Sequence, residues 1–270
     1  MRYVGGDFIV TYSEISDVLN QIAPLSLAED WDNSGFQILL DKKEIRTVLL
    51  CLDVTAAVIK EAINANADLI ISHHPMYFSP FRNIVSGDLV SDYTIELIKN
   101  GISVYSSHTS FDKAEKGTNF YLAKMLGLSD LHFFDEVYEK SIGIYGELPA
   151  NESVSSFVAN MYQTLNIDKH TVRIVGDTDA KILKVGICTG AGMSEFQISQ
   201  KLSCDVFITG DLKYHEALCA FEKNKLLIDI GHFDSEKFFV ENLAAQLGNI
   251  YGERLNIIQT KTMLNPFKTL

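Results

Sequence analysis

The sequence lacks the features that mark several classes of protein. It has no uninterrupted apolar run near the roughly 18 residues that a membrane-spanning helix needs. Its four cysteines form no Cys-x-x-Cys pair, and its 23 basic residues are outnumbered by 35 acidic ones, for a net charge of −12. A dedicated nucleic-acid-binding protein needs clustered Lys and Arg to neutralise phosphates, and the absence of a visible cluster argues against that class. Unpaired cysteines in a chain of this size predict buried thiols in a reducing compartment, the cytoplasm.

Proline is scarce as well, with five residues in 270, so few linkers are expected. A hydrophobic fraction of 47% with 21% charged residues is ordinary globular composition and excludes disorder along the whole chain. At roughly 150 residues per domain, the length predicts one large domain or two modest ones.

What is present is an alternation of short apolar runs with amphipathic segments. Helical spacing of apolar residues predicts a first helix over 10–23, with Ser13 as its cap. Short strands that are apolar throughout are typical of a largely parallel sheet with both faces covered. The predicted fold class is therefore α/β. The strands are predicted at 36–40, 48–52, 68–72, 102–106 and 226–230, and the further helices at 56–65 and 94–99.

Two parts of the sequence resemble each other. Val-Leu-Leu-Cys at 48–51 aligns with Val-Gly-Ile-Cys at 185–188, and at the same offset of 137 residues 68–72 fall on 205–209. At an offset of 124, the segment ending at His108 falls on the segment ending at His232. Identities are few, so chance agreement is the alternative to a repeat.

The repeat predicts two interlinked α/β domains of similar topology with mostly parallel sheets. The first is predicted to contain residues 1–130 plus 225–270, and the second residues 131–224. In open α/β sheets, ligands bind outside the carboxyl ends of the strands, so a ligand cleft is expected at those ends.

Histidines and carboxylates follow three of the predicted strands. His73 and His74 come after 68–72, while His108 with Asp112 follows 102–106. His232 with Glu236 follows 226–230 in the same way. A spacing of four residues places both members of a pair on one face of a helical turn.

One such pair is more often a surface feature than a metal site, but three pairs at equivalent strand ends favour a metal. Imidazole and carboxylate form the ligand set of first-row transition metals, and two ions can share bridging carboxylates. The ligand types suit zinc, iron, manganese and nickel alike, so the sequence leaves the identity of the metal open.

Five segments carry a resemblance to a known family. They are Trp31-Asp-Asn-Ser-Gly35, Ile71-Ser-His-His-Pro75, His108-Thr-Ser-Phe-Asp112, Thr209-Gly-Asp211 and Gly231-His-Phe-Asp-Ser-Glu236. In this order, and across residues 12–250, they resemble the Nif-three-like family, whose members carry the name GTP cyclohydrolase 1 type 2 homologue.

The resemblance implies a dinuclear centre of two divalent ions, zinc, iron or manganese, and a toroidal homohexamer built as a trimer of dimers. By matching motifs it implies that the metal ligands are His73, His74, Asp112, His232 and Glu236, with Glu236 bridging. Larger members carry an inserted domain that a chain of 270 residues is expected to lack.

Two further histidines are candidates for catalysis. His108 could move protons, or it could orient a carboxylate from outside the metal shell. His215 follows the strand end at Thr209-Gly-Asp211 and could face the same cavity.

Two other features have interpretations that compete. Tyr77, Phe78 and Phe81 could stack on a planar substrate ring, although loop anchoring or subunit packing is the favoured interpretation of such aromatics. Gly190-Ala-Gly192 resembles the start of a phosphate loop without its third glycine and its Lys-Ser/Thr, but it could offer backbone amides to an anion.

Two functions follow from these observations. One is a metal-dependent hydrolase, either GTP cyclohydrolase-like or a phosphoesterase, acting on a small nucleotide-like or phosphate-containing substrate. The absence of a basic cluster for a triphosphate makes GTP a less favoured substrate than the reaction class. The alternative is a non-catalytic metal-binding or regulatory hexamer.

Overall fold

A computed structural model describes residues 9–40, 44–136, 141–262 and 265–268. The β-strands in these ranges are β1 (Gly35–Ile38), β2 (Thr47–Cys51), β3 (Leu69–Ser72), β4 (Ser103–Ser106), β5 (Ser129–Phe133), β6 (Ile144–Ser153), β7 (Arg173–Val175), β8 (Lys181–Ile187), β9 (Val206–Thr209), β10 (Leu226–Asp229) and β11 (Asn256–Gln259). The α-helices are α1 (Tyr12–Ile22), α2 (Ala56–Asn64), α3 (Leu89–Lys99), α4 (Thr109–Asp112), α5 (Thr118–Met125), α6 (Val154–Leu165), α7 (Phe196–Lys201), α8 (Tyr214–Glu222), α9 (His232–Glu236) and α10 (Phe239–Tyr251).

The chain folds as two compact units. The first, the five-stranded unit, contains the described residues within Met1–Phe111 and Phe239–Leu264. Its sheet has the order β1-β4-β3-β2-β11, in which only the pairing of β1 with β4 is antiparallel. All residues of β3 and β4 are buried. Burial on both faces explains why these strands are apolar runs without alternation.

Caps fix where the helices of this unit begin. The hydroxyl of Thr11 accepts a hydrogen bond from the Glu14 amide and caps α1, so the cap lies two residues before the predicted Ser13. Thr55 caps α2 in the same way through the Val58 amide. The predicted helix over 94–99 begins earlier, at Leu89, because the Asp88 carboxylate accepts from the Ser91 amide.

The second compact part, the six-stranded unit, contains the described residues within Asp112–Phe238 and Asn265–Leu270. Its sheet has the order β5-β6-β8-β9-β10-β7. Pairings among β8, β9 and β10 are parallel, whereas those of β5, β6 and β7 are antiparallel. This sheet is therefore mixed, and the prediction of mostly parallel sheets is wrong for it. The first half of β6 alternates buried and less buried residues, a pattern typical of antiparallel strands.

Strand register tests the internal repeat. Val48 pairs with Leu69 and Val185 pairs with Val206, so both members of the second pair are 137 residues after the first. The third strands differ slightly from the alignment. Ile71 pairs with Tyr105 and Ile208 with Ile228, which gives an offset of 123 between β4 and β10, not 124.

The unit boundaries differ from the predicted domain limits. They fall after Phe111 and after Phe238, whereas the predicted limits were after 130 and 224. The reason is strand pairing: β10 joins β9 and β7 in the six-stranded sheet, so the segment after residue 225 returns to the first unit only at α10. Within the described ranges, no helix is both long and apolar enough to span a bilayer.

Candidate metal centre

Three imidazoles meet where two neighbouring strands of the five-stranded unit end. His73 and His74 follow β3 directly, and His108 follows β4 after one intervening residue. The ring centroid of His73 lies 5.0 Å from that of His74 and 5.2 Å from that of His108. One ligand atom from each ring lies within 4.8 Å of the others, so the three side chains can share a metal ion. His73 is buried, while the other two are partly buried.

Each of these rings is held by a hydrogen bond through its Nδ1 atom to an oxygen. The acceptors are the Ser107 carbonyl for His73 (2.9 Å), Asp53 Oδ1 for His74 (2.7 Å) and Asp32 Oδ1 for His108 (2.8 Å). Because carbonyl and carboxylate oxygens accept, Nδ1 carries the proton and Nε2 carries the lone pair. Metal-binding histidines show this arrangement, in which the outer hydrogen bond fixes the tautomer and the ring orientation.

Asp32 holds His108 from a fully buried position. Its side chain is 0% exposed, and its Oδ2 atom accepts from the Ser34 hydroxyl and from both the amide and the hydroxyl of Thr109. Burial by itself would raise the pKa of Asp32, but the hydrogen bonds from His108, Ser34 and Thr109 outweigh it and hold that pKa well below its ordinary value. The carboxylate stays ionised beside the imidazole.

The six-stranded unit brings an imidazole and a carboxylate together at its own strand ends. His232, after β10, has its Nδ1 2.8 Å from Asp211 Oδ2 and its Nε2 3.0 Å from Glu236 Oε2. The last of these carboxylates is 4% exposed. Both members of the predicted pair at 232 and 236 therefore lie in contact across one turn of α9, as their spacing requires.

Two glycines leave room for this pair. A Cβ at Gly190, whose φ is +64°, would overlap Glu236 Oε1. A Cβ at Gly210 would lie 2.6 Å from the backbone nitrogen of His232. The close approach of Gly190 to the Glu236 side chain, and of Gly210 to the backbone at the start of α9, therefore depends on the absence of a Cβ at both positions.

Asp112, the remaining predicted ligand, lies at the end of α4 and is 6% exposed. Its carbonyl accepts from the side-chain amide of Asn119, whose oxygen accepts from the Thr189 amide. Burial raises the pKa of the neighbouring Cys188 thiol, and the carboxylates of Glu195, Asp112 and Glu236 raise it further. Asp112 and Glu236 therefore bring negative charge to the same part of the six-stranded unit.

The other candidates have different surroundings. His215 is exposed on α8, with its ring 5.2 Å from that of Tyr214, and it belongs to no group of potential ligands in the described part of the chain. The amides of Gly190 and Gly192 donate to the hydroxyls of Ser235 and Thr209. These two amides are thus used inside the protein and are not the ones that could be offered to an anion.

Sequence reasoning assigned no role to the three carboxylates that hold the imidazoles, Asp32, Asp53 and Asp211. A signal for two of them was available. Asp53 lies two residues after the end of β2 and Asp211 two residues after the end of β9, the same kind of position that singled out the histidines. Asp32 lies in a loop before β1, and only tertiary structure brings it beside His108.

Comparison with known proteins fits this geometry. The model of the family described as Duf34/NIF3 (NGG1p interacting factor 3) matches residues 10–266. The chain belongs to this family. It is 34% identical to the GTP cyclohydrolase 1 type 2 homolog of Campylobacter jejuni, over 95% of this chain and 98% of that protein. It is 32% identical, with the same coverage, to the protein of that name from Clostridium perfringens.

A solved structure agrees with the fold. The crystal structure of a Staphylococcus aureus hypothetical protein matches with a TM-score of 0.86 and 26% identity, covering 96% of this chain and 98% of that one. The family membership and the α/β architecture with two sheets are thus shown. The donor set of the NIF3-family chain fits a divalent transition metal, because three imidazoles oriented by oxygens each bring one ring nitrogen to metal-sharing distance of the others.

Proposed function

We propose that this NIF3-family protein is a metal-dependent hydrolase that acts on a small nucleotide-like or phosphate-containing substrate. Two divalent ions per chain, of zinc, iron or manganese, would supply Lewis acidity and activate water for attack. The proposed ligands are His73 and His74 in the five-stranded unit, with Asp112, His232 and Glu236 in the six-stranded unit.

The observation that carries the proposal is the set of outer hydrogen bonds. Four imidazoles, at 73, 74, 108 and 232, each place Nδ1 against a carbonyl or carboxylate oxygen. His132 makes a similar contact with Glu136, so the support comes from the placement of four such rings after the ends of buried strands and not from the hydrogen bond alone. This placement of Nδ1 supports metal ligation or proton transfer at Nε2 of the rings at 73, 74 and 108, whereas Nε2 of His232 lies 3.0 Å from Glu236 Oε2, its proposed co-ligand.

We assign proton transfer to His108. Its Nδ1 atom donates to the ionised Asp32, so Nε2 is the atom that takes up and releases the proton. The buried carboxylate stabilises the imidazolium that forms, as in other carboxylate–histidine pairs. We leave His215 without a role in the reaction, since its ring is exposed and rests on Tyr214.

Elemental analysis of the gently purified protein tests the metal. We expect up to about two ions per chain in the wild type and a loss of bound metal in both His74→Ala and Glu236→Ala. His132→Ala is the matched control, because His132 also contacts two carboxylates, Glu136 and Asp130, but belongs to no group of potential metal ligands among the described residues. A wild type that holds no metal after incubation with zinc, iron and manganese would contradict the site. Circular dichroism of each variant separates loss of metal from unfolding.

Activity is tested on the metal-loaded protein with a panel of nucleotides, including GTP, and of phosphodiesters. Turnover should be abolished by a chelator and restored by metal. We expect His108→Ala to lower kcat at least about 100-fold while bound metal falls much less. If no substrate turns over although metal is bound, the non-catalytic alternative replaces the hydrolase.

We further propose that six copies assemble into a ring in the cytoplasm. Leu89, Ile98 and Ile250 are 64%, 47% and 49% exposed, and closed symmetry would cover such apolar side chains. The four cysteines are free thiols, which fits a reducing compartment, but the prediction that all are buried is wrong, since Cys204 is partly buried and Cys219 is exposed. Light scattering should give about six times the chain mass of 30.2 kDa, and a stable monomer at micromolar concentration would contradict the ring.

A further inference from the structure

An aromatic hollow lies beside the three histidines of the five-stranded unit. It has a volume of about 430 Å³ and is lined by the rings of Trp31, Tyr77, Phe78 and Phe81 together with Asp32, Asn33, Ser79 and Pro80. Sites for small molecules have volumes of this order, and most of their lining is apolar or aromatic. Three of these rings are unusually open to solvent: Trp31 is 63% exposed, Phe78 59% and Phe81 46%.

Hydrogen bonds and packing against the core of the unit hold the residues of the hollow in place. The Tyr77 hydroxyl lies 2.7 Å from that of Thr94, and the Asn33 side-chain amide donates to the Tyr77 carbonyl at 2.7 Å. Tyr77 packs against the core of the unit, and its ring centroid lies 4.7 Å from that of Phe81. Tyr77 therefore anchors the loop, whereas Phe78 and Phe81 remain exposed on a fixed platform. Such preorganisation lowers the entropic penalty of binding a ligand.

The hollow adjoins the group that we propose to move protons. The ring centroid of His108 lies 5.9 Å from Trp31 and 5.8 Å from Phe78, in both cases edge to face. Phe78 also lies 6.3 Å from His74. A ring stacked in the hollow would therefore sit next to the imidazole cluster of the same unit.

The polar groups of the hollow select the kind of ring. None of the lining residues is Lys or Arg, so the hollow has no cation to hold a phosphate. The Asp32 carboxylate in the lining is 0% exposed and already accepts from His108, Ser34 and Thr109, so it is not the group offered to a ligand. Asn33 uses its amide nitrogen on the Tyr77 carbonyl and on Gln37, which leaves its Oδ1 oxygen as the amide atom for a ligand. An oxygen acceptor between aromatic faces favours an uncharged planar ring that carries an N–H donor.

We propose that this hollow binds the flat, uncharged nitrogen heterocycle of the substrate, with the ring stacked on Trp31 and Phe78 and an amino group donating to Asn33. The inference deepens the proposed function. It rests on that function in one respect, namely that the bound ring belongs to the substrate of the hydrolase. Binding of the ring itself needs neither metal nor hydrolysis.

The experiment is a fluorescence titration of the full chain in the presence of a chelator. Trp31 is the single tryptophan of the sequence, so quenching of tryptophan emission reports on this hollow alone. We expect adenosine and guanosine to quench in a saturable way and ribose to leave the emission unchanged. Purine riboside, which differs from adenosine in lacking the amino group, should bind several-fold more weakly.

Matched variants locate the site. Phe78→Ala should weaken adenosine binding about tenfold, as expected for loss of one stacking partner. Phe221→Ala is the control, because Phe221 is also 59% exposed but belongs to the six-stranded unit. Both phenylalanines are solvent-exposed, so unchanged thermal unfolding is expected and is to be verified for each variant.

Three outcomes would overturn the proposal. They are the absence of quenching by any nucleoside at millimolar concentration, equal weakening by both alanine variants, and a blue shift of Trp31 emission that grows with protein concentration without ligand. The last would show that the hollow is covered by a second copy of the chain. Because the titration is done without metal, its failure leaves the metal analysis intact, and failure of hydrolysis leaves the quenching intact.

Discussion

At the end of β3 the five-stranded unit places His73 and His74, and at the same register after β9 the six-stranded unit places Gly210 and Asp211. In the first unit the strand end itself supplies imidazoles. In the second it supplies a small residue and a carboxylate that supports an imidazole from the neighbouring strand end, at 232. The same arrangement of three parallel strands is therefore used differently in the two units. The proposed ligands and the carboxylates that hydrogen-bond to them follow different strands in each.

The supports differ in burial too. Asp32, which holds His108, has a side chain that is 0% exposed, whereas Asp211, which holds His232, is 50% exposed. Asp53, which holds His74, is 52% exposed like Asp211, so the buried support is particular to His108. A buried carboxylate with several donors fixes its imidazole firmly, and a half-exposed carboxylate competes with water. The comparison predicts that equivalent substitutions in the two units have unequal effects.

Gly210→Ala should have one of the two largest effects of the substitutions considered. The new Cβ would lie within 2.8 Å of three backbone atoms of Gly231 and His232, and backbone cannot move aside as a flexible side chain can. We expect a loss of about 3 kcal/mol in the free energy of unfolding, measured by chemical denaturation. Gly248→Ala on α10 is the control, since its Cβ meets open space and should stabilise by up to about 1 kcal/mol. Equal stability of the two variants would show that the His232 loop is not tightly packed on Gly210.

The next comparison is between the last residues of β10 and β4, which are Asp229 and Ser106. The buried Asp229 carboxylate accepts from the amides of Gly231 and Leu212 and forms an ion pair with Arg173. Asp229→Ala should destabilise by about 3 kcal/mol, because it leaves these donors without their acceptor.

In the five-stranded unit, Ser106 has the equivalent position and bonds to the hydroxyl of Ser72 and the carbonyl of His74. Ser106→Ala removes only neutral hydrogen bonds and should destabilise by about 1 kcal/mol. Thermal unfolding of the two variants side by side measures the difference. A larger loss of stability for Ser106→Ala than for Asp229→Ala would contradict the prediction that the hydrogen bonds at this strand end contribute more in the six-stranded unit.

The two supporting carboxylates give a pH-dependent prediction. The pKa of Asp32 is held below its ordinary value in the folded protein, so its ionisation stabilises the fold above its unfolded pKa of about 4, and the stabilisation is lost as the pH falls through the folded pKa. Asp32→Asn should therefore destabilise metal-free protein by about 2 kcal/mol at neutral pH, with the difference from wild type shrinking below about pH 4.

Asp211→Asn is the comparison for this prediction. Its carboxylate is half-exposed, so the loss should be less than about 1 kcal/mol. Denaturant titrations of both variants across the acid range provide the measurement. A constant difference between Asp32→Asn and wild type down to pH 2 would contradict the assigned ionisation.

The smallest expected difference concerns the aspartates that precede β3 and β9. Asp68 Oδ2 accepts from the amides of Arg46 and Thr47, and Asp205 Oδ2 accepts from those of Leu183 and Lys184, all at equivalent positions of the repeat. Asp68→Asn and Asp205→Asn should each destabilise by about 1 kcal/mol. Unfolding midpoints that differ strongly between the two would show that the repeat is shared in topology but not in energetics.

Much of the five-stranded unit could be predicted because its strands are buried on both faces. The apolar runs at 48–52, 68–72 and 102–106 differ by one residue from the observed β2, β3 and β4. The order of β5, β6 and β7 could not be inferred in this way. Antiparallel edge strands are partly exposed and have weak patterns, and their partners are chosen by tertiary packing.

The features of the site can likewise be divided into those that the sequence predicts and those that depend on tertiary structure. The sequence by itself determined which strand ends carry imidazoles, since His73, His74, His108 and His232 each follow an apolar strand directly or within a few residues. Tertiary structure alone decided which carboxylate supports each ring and which way the ring points. Asp32 is 76 residues from His108 and Asp211 is 21 from His232. Chain spacing encodes neighbours within a helix or strand, whereas contacts between loops are set by how the sheet arranges the strand ends from which those loops emerge.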